Sequence, residues 1–155
     1  MPTTADGPAA EPTAAQDTNR RRLTAHERRE LLSRPVVGIF SSLAKDGWIH
    51  SVPVHFLYRD GEVRILCGTN SVKATNVDRT GRATLCVEVT NGTERRCVTV
   101  EGPASVERPA QAHDVTALDE RYTRADAADW TESDYASEAM VVIRPTRWIA
   151  WSDWD

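Results

Sequence analysis

The sequence predicts a mainly β fold, in which an antiparallel meander closes into a small barrel with a few flanking helices. Asp-Gly dipeptides at Asp46-Gly47 and Asp60-Gly61 each separate strand-like runs, and such pairs are among the strongest short-range signals for a β-hairpin. Further strand-like runs follow with only two substantial helices among them. A meander this long must pair or close its edges, so a barrel is favoured over an open sheet.

The composition indicates one acidic globular domain. The chain has 155 residues and a formal net charge of −4, which favours neither nucleic acid nor an anionic membrane as a partner. No apolar run approaches the ~20 residues of a membrane span, and the N-terminal region lacks the apolar core of a secretory signal. The three cysteines fall in strand-like runs, where reduced thiols are the simplest account, so we expect a cytoplasmic protein.

Residues 1–22 are predicted to be a disordered N-terminal tail, and residues 23–155 the folded domain. The tail is polar and rich in Pro, Ala and Thr, so it cannot bury enough apolar surface to offset the entropy lost on ordering. A nucleic-acid adaptor acting through Arg20–Arg22 and Arg28-Arg29 is one alternative function, which the acidic remainder of the chain disfavours. We therefore expect neither nucleic acid nor membrane among the partners.

The predicted strands are apolar or alternating runs that end at Gly, Asp, Asn or Pro. Gly102-Pro103 is expected to interrupt the sheet. The predicted strands cover Val36–Leu43, Trp48–Tyr58, Glu62–Cys67, Arg82–Thr90, Arg96–Glu101, Ala104–Glu107, Met140–Ile143 and Arg147–Trp151.

Helices are predicted around and between these strands. The Thr24-Ala25-His26-Glu27 capping box opens a helix through Ser33. A short helix is expected from Ser71 to Arg79, and a longer one with an apolar stripe from Ala110 to Arg124. Residues 125–137 are expected to hold a further short helix or an irregular segment.

The segment Gly68–Asn76 combines a helix start with a positive charge. Ser71 is a good N-cap, and the first turn of a helix offers unpaired N–H groups and a positive dipole end to an anion. Lys73 adds a full charge in that turn, and Asn76 lies three residues further over the same face. The segment is therefore a candidate phosphate site, although on its own it fits an ordinary capped surface helix better.

The common catalytic and metal-binding motifs are missing from the sequence. It has no dinucleotide-binding glycine motif, no Walker A loop and no nucleophile elbow. His50 and His55 would point to opposite faces of one strand, and no Cys-x-x-Cys pair supports a zinc site, so no metal is expected. No catalytic side chain stands out. If the protein is an enzyme, a bound cofactor is expected to supply the chemistry.

A block of motifs between Pro35 and Glu107 is similar to a known family. It contains an Asp-Gly hairpin, the run Val52-Pro53-Val54-His55-Phe56, a second Asp-Gly hairpin, and Thr69-x-Ser71-x-Lys73-x-x-Asn76. This order resembles the FMN-binding split β-barrel family, which is typified by pyridoxamine 5′-phosphate oxidase and includes the deazaflavin (coenzyme F-420)-dependent reductases. The resemblance implies a six- to seven-stranded antiparallel split barrel with a few flanking helices. It also implies a homodimer with the cofactor at the subunit interface.

The resemblance assigns cofactor contacts to three parts of the chain. The strand expected along the ring, meeting its polar edge through backbone groups, contributes His50, Ser51, Val52, Pro53 and Val54. The residues expected at the cofactor phosphate are Thr69, Ser71, Val72, Lys73 and Asn76. Trp148 is expected to reach the cofactor of the partner subunit, although a packing role fits it equally well.

The expected function is an oxidoreductase that transfers hydride between bound coenzyme F-420 or FMN and a small organic substrate. One lysine at a helix start suits the single charge of the deazaflavin phosphodiester slightly better than the near-dianionic phosphate of FMN, so the reductase branch is closest. The substrate-binding signature of true pyridoxamine phosphate oxidases is not recognisable, which puts that substrate in doubt. A non-catalytic flavin- or haem-binding or sensing protein of the same fold is the alternative.

Overall fold

The computed structural model describes residues 20–125 and 128–154. The expected mainly β fold is confirmed, with nine antiparallel strands counted over the described residues. In chain order the elements are β1 (Arg21–Arg22), α1 (Ala25–Leu32), β2 (Gly38–Leu43), β3 (Ile49–Val54), β4 (Leu57–Arg59), β5 (Glu62–Gly68), α2 (Val72–Thr80), β6 (Arg82–Asn91), β7 (Glu94–Glu107), α3 (Ala112–Tyr122), α4 (Glu132–Ser137), β8 (Glu138–Ile143) and β9 (Arg147–Trp154).

The long strand β7 joins two halves of the sheet. The main path runs β3-β2-β6-β7-β8-β5-β4, and β9 pairs with both β7 and β1. Within β7, residues Glu94–Glu101 pair with β9, whereas residues Ala104–Glu107 pair with β8. One strand therefore belongs to both halves of the barrel.

The expected interruption at Gly102-Pro103 was wrong, because the chain near Arg144 supports β7 at this point. The amide of Arg144 donates to the Pro103 carbonyl at 2.9 Å, and the amide of Thr146 donates to the Glu101 carbonyl at 2.9 Å. A Cβ at position 102 would lie 2.0 Å from the Arg144 carbonyl oxygen. Glycine thus permits a close backbone approach here instead of ending the strand.

The strand count exceeds the expected six to seven, partly because the run Trp48–Tyr58 divides into β3 and β4. At the division, the Tyr122 hydroxyl accepts from the Phe56 amide at 3.1 Å and donates to the Val36 carbonyl at 2.9 Å. A side chain from α3 therefore replaces part of the strand ladder.

Most of the predicted N-terminal tail falls outside the part of the chain that the structure describes. Residues 1–19 of the predicted tail lie outside the described residues, whereas Arg21–Arg22 form β1 and pair with β9. The capping box of α1 is confirmed, since the Glu27 amide donates to Thr24 Oγ1 at 3.2 Å and the Thr24 amide donates to Glu27 Oε2 at 2.8 Å. In the part of the chain that the structure describes, no helix has the length and apolar character to cross a membrane.

The main hydrophobic core fills the barrel and extends under α1 and α2. Its largest fully buried side chains include Phe40, Phe56, Leu31, Leu32, Ile65 and Leu85. A smaller apolar cluster lies under α3 and contains Leu57, Leu118, Met140 and Val142. Together these clusters fix α2 and α3 against the sheet, which places the start of α2 beside the open edge of β3.

Candidate cofactor cleft beside helix α2

A cleft of about 350 Å³ lies between the edge of the sheet and the start of α2. Among the described strands, β3 pairs with β2 alone, so its other edge is open. The volume lies at the lower end of the range for small-molecule sites. The cleft is lined by Pro53, Val54, His55, Leu66, Lys73, Arg124, Trp130 and Glu138.

The Ser71 cap accepts a hydrogen bond from only one of the backbone N–H groups in the first turn of α2. Ser71 Oγ accepts from the Ala74 amide at 3.3 Å, and the Ser71 amide donates to the Gly68 carbonyl at 2.9 Å. Within the described residues, the amides of Val72 and Lys73 have no hydrogen-bond acceptor. These two amides and the positive end of the helix dipole form a donor set that suits an anion.

Lys73 brings a full positive charge to this donor set. No carboxylate in the described ranges lies within ion-pair distance of its ammonium group, although Glu138 lines the same cleft. Burial raises the pKa of the Glu138 carboxyl, and the charge of Lys73 partly opposes that rise. Burial also raises the pKa of the Cys67 thiol, against a hydrogen bond from Ser71 and the charge of Lys73. The charge of the ammonium group therefore influences the pKa of Glu138 and Cys67, and no direct contact with a carboxylate of the described ranges neutralises it.

Thr69 is held in place by Arg108, a residue outside every predicted motif. Arg108 Nε donates to Thr69 Oγ1 at 2.9 Å and Arg108 Nη2 donates to the Thr69 carbonyl at 2.9 Å. The same guanidinium group pairs with Asp78 of α2 at 2.7 Å. Arg108 therefore ties the loop before α2 to the helix itself, and no local sequence signal marks it.

Asn76 lies on the predicted face of α2 but is buried against β2. Its Nδ2 donates to Ser42 Oγ at 3.1 Å, and its Oδ1 accepts from Arg79 Nη1 at 3.2 Å. Arg79 also donates to the Leu43 carbonyl. Both polar ends of the amide thus have protein partners, and Asn76 positions α2 against the sheet.

The predicted ring strand β3 divides its side chains between two faces. Val52 and Val54 pack toward the core, whereas Ser51 lies outward, with its hydroxyl 2.8 Å from that of Ser41. Pro53 and Val54 line the cleft, and Pro53 carries no backbone N–H. The buried His50 Nδ1 has no hydrogen-bond partner in the described part of the chain. A buried polar atom without a partner is uncommon, and His50 is not among the residues that line the cleft.

The far wall of the cleft comes from His55 and from Arg124 and Trp130, two residues after α3 that no sequence motif marked. His55 stacks on Tyr122 with ring centroids 4.0 Å apart and planes 6° apart. Burial lowers the pKa of His55, and the nearby charge of Arg124 lowers it further, which favours the neutral imidazole. Trp130 packs edge-on against Tyr135, with centroids 5.1 Å apart. This wall therefore combines aromatic surface with a neutral imidazole and a guanidinium group.

Trp148 does not line this cleft in its own chain. Its ring meets Tyr58 edge-on with centroids 6.2 Å apart, and Arg28 of α1 lies 4.8 Å from the ring centre. Cofactor contact by Trp148 across a subunit interface stays a prediction.

A larger hollow of about 890 Å³ lies on the outward face of the sheet, formed mainly by β2, β3 and β6. Its polar lining is rich in hydroxyl groups, and apolar side chains surround it. Exposed large apolar residues on or near this face are Val37, Ile39, Leu43, Trp48, Ile49 and Ile149. A face of this composition on a small protein commonly contacts a partner.

The described residues contain no group of three or more His, Cys, Asp or Glu side chains that could hold a metal ion. The residues of the cleft do fit a flavin-type cofactor. They combine the anion-binding start of α2, the charge of Lys73 and the backbone of Pro53 and Val54 at the end of β3.

Comparisons with known proteins agree with this geometry. The family model described as pyridoxamine 5′-phosphate oxidase matches residues 24–152. Among curated proteins, none matches the chain.

Several solved structures share the fold. A conserved hypothetical protein from Mycobacterium tuberculosis is 21% identical with a TM-score of 0.71, covering 83% of this chain and 84% of that one. An F420 reductase is 22% identical with a TM-score of 0.65, covering 78% of this chain and 94% of that one. A FAD-binding protein from Mesorhizobium loti is 19% identical with a TM-score of 0.65, covering 88% of this chain and 99% of that one. At these identities the likeness establishes the fold alone.

Proposed function

The chain belongs to the pyridoxamine 5′-phosphate oxidase family, and we propose that it is an oxidoreductase that transfers hydride between bound coenzyme F-420 or FMN and a small organic substrate. The observation that carries this proposal is the cleft that Lys73, in the first turn of α2, lines together with Pro53 and Val54 at the end of β3. When bound, the cofactor supplies the hydride chemistry. The protein binds and orients the reactants and limits the access of water.

Two groups of residues would hold the cofactor. Lys73 and the amides of Val72 and Lys73 would bind its phosphate by charge-assisted hydrogen bonds. Backbone groups of Pro53 and Val54 would meet the polar edge of the ring, since both residues line the cleft on the open edge of β3.

Among the two cofactors, the deazaflavin is the better supported. The cleft offers one lysine and the Arg124 guanidinium group, which has Asp119 at 3.6 Å, and the Glu138 carboxyl lines the same cleft. A dianionic phosphate would need more positive charge than this site provides. The likeness to a protein named F420 reductase points the same way.

We also propose that the protein is a cytoplasmic homodimer and that the second subunit covers the outward face of the sheet. On this face Trp48 is 77% exposed and Ile49 is 69% exposed, although both are large and apolar. A second copy would bury them and bring new residues to the cofactor, Trp148 of the partner subunit being the expected one. The hollow of about 890 Å³ lies on the same face.

The decisive experiment is to identify the bound cofactor. The protein is expressed in a host that lacks the deazaflavin, its visible spectrum is recorded, and FMN and coenzyme F-420 are titrated with fluorescence detection. A colourless protein that quenches deazaflavin fluorescence supports the reductase function, whereas a yellow protein indicates FMN. Binding of neither cofactor would refute the proposal. Binding without turnover of any nitro, enone or quinone substrate would indicate a carrier or sensor.

A further inference from the structure

Glu138 lines the same cleft as Lys73, and we propose that Glu138 selects for a singly charged phosphodiester over a doubly charged terminal phosphate. This inference rests on the proposed function, because it names the cofactor class that the same site prefers. No local sequence pattern predicts this role, because Glu138 lies far from Lys73 along the chain.

The backbone holds Glu138 beside the loop that leads into α2. Glu138 is the first residue of β8 and pairs with Gly68, the last residue of β5. The Thr69 amide donates to the Ser137 carbonyl at 2.9 Å, and the Ala110 amide donates to the Glu138 carbonyl at 2.9 Å. The backbone of Glu138 is therefore held in β8 beside the loop that leads into α2.

Lys73 and Glu138 place one positive and one negative charge in the cleft. The Glu138 side chain is partly buried, which disfavours its charged form, and the charge of Lys73 favours it. With Glu138 ionised, its negative charge lies in the same cleft as Lys73 and offsets part of the attraction of Lys73 for an anion.

The other charged groups near Glu138 do not change this balance. Arg124 lines the cleft and has Asp119 at 3.6 Å. Arg108 lies at the adjoining loop and pairs with Asp78 at 2.7 Å. His55 has a lowered pKa and is therefore mainly uncharged at neutral pH. Each guanidinium group thus has a carboxylate beside it.

The charge of the ligand then decides the cost of binding. A terminal phosphate carries about −1.5 to −2 charges at pH 7, whereas a phosphodiester carries one. Each extra negative charge is repelled by the Glu138 carboxylate, and a partly buried site screens that repulsion only weakly. FMN is therefore penalised more than coenzyme F-420.

The test compares three ligands on the full chain: riboflavin without phosphate, FMN and coenzyme F-420. In Glu138→Gln at pH 8, FMN should bind about tenfold more tightly and coenzyme F-420 about threefold or less, because one charge repulsion is removed per phosphate charge. Riboflavin affinity should not change. Glu120→Gln on the exposed face of α3 makes the same change in net charge and should alter none of the three affinities.

A pH series adds a second readout. At lower pH, protonation of Glu138 should bring the FMN affinity of the native protein toward that of Glu138→Gln. Both proteins bind the same FMN, so protonation of the phosphate itself cancels in the comparison. Thermal unfolding confirms that the variants fold, and Glu138→Ala repeats the test if the glutamine variant does not.

The possible outcomes distinguish failure of the Glu138 selectivity from failure of the proposed function. If the native chain binds none of the three ligands, the proposed function fails and this inference fails with it. If the native chain binds FMN or coenzyme F-420 but Glu138→Gln leaves their affinity ratio unchanged, only the selectivity of Glu138 is refuted. Equal weakening of all three ligands, riboflavin included, would make Glu138 a structural residue and would also refute it.

Discussion

Two charged side chains near β5 differ in how completely the fold matches their charge. Asp114 of α3 is fully buried, and Arg64 of β5 donates to both of its carboxylate oxygens, at 3.2 and 2.9 Å. Arg59 of β4 donates to the same carboxylate. Lys73 of α2 lines an open cleft and has no comparable partner among the described residues.

The difference separates structural charge from charge kept for a ligand. A buried charge costs several kcal/mol unless it is paired and hydrogen-bonded, which explains the dense contacts around Asp114. Those contacts attach α3 to β4 and β5. Lys73, by contrast, retains donor capacity at a helix start where further donors are also free.

Asp114→Ala should give the largest effect, on stability. It leaves Arg64 buried without its main partner, so the free energy of unfolding should fall by about 3–5 kcal/mol. Urea unfolding measures the change, with Glu120→Ala on the exposed face of α3 as control. A loss below about 1 kcal/mol would mean that the pair is not a structural anchor.

Lys73→Ala should act on ligand binding instead. Loss of a charge-assisted contact should weaken cofactor binding by about 1–3 kcal/mol, while the free energy of unfolding changes by less than about 0.5 kcal/mol. Lys45, exposed in the turn between β2 and β3, provides the matched control in Lys45→Ala. Equal affinities of the two variants would place the phosphate elsewhere.

The N-cap residues Thr24 and Ser71 have the same structural role, but only Ser71 belongs to a helix that borders the cleft. Thr24→Ala and Ser71→Ala should each cost about 1 kcal/mol of stability, because each removes a hydroxyl that accepts from a helix amide. Only Ser71→Ala should also alter cofactor affinity, since α2 borders the cleft and α1 does not. Chemical unfolding and fluorescence titration of both variants test this, and a matching affinity change in Thr24→Ala would contradict it.

The smallest effect is expected from His55, through pH. Its pKa is lowered in the folded protein, so the unfolded chain binds a proton first as the pH falls. Stability should therefore decline as the pH drops below about 6.5, the ordinary histidine value, and the decline should end below the folded-state pKa. His55→Gln should show a shallower change in melting temperature between pH 7 and 5. An unchanged slope would mean that His55 does not contribute.

The fold was largely predictable because its signals are local. Asp60 and Gly61 both adopt positive φ values, 53° and 76°, as a tight hairpin requires. The caps at Thr24 and Ser71 likewise depend on residues within three positions. The continuity of β7 through Gly102 was missed because it depends on the distant segment around Arg144.

The candidate site was predictable on one side only. Ser71 and Lys73 were found because cap and charge lie in one short segment. Arg108, Trp130 and Glu138 reach the region through the pairing of distant strands and the packing of the chain after α3. Their roles depend on tertiary structure, for which a single sequence carries no local pattern.

The shared strand β7 determines how the domain unfolds. Because β7 pairs with β6, β8 and β9, neither half of the barrel can separate without breaking its hydrogen bonds. The domain should therefore unfold cooperatively, and the central amides of β7 should exchange with deuterated solvent only through global unfolding. The amides on the open edge of β3, which border the cleft, should exchange much earlier.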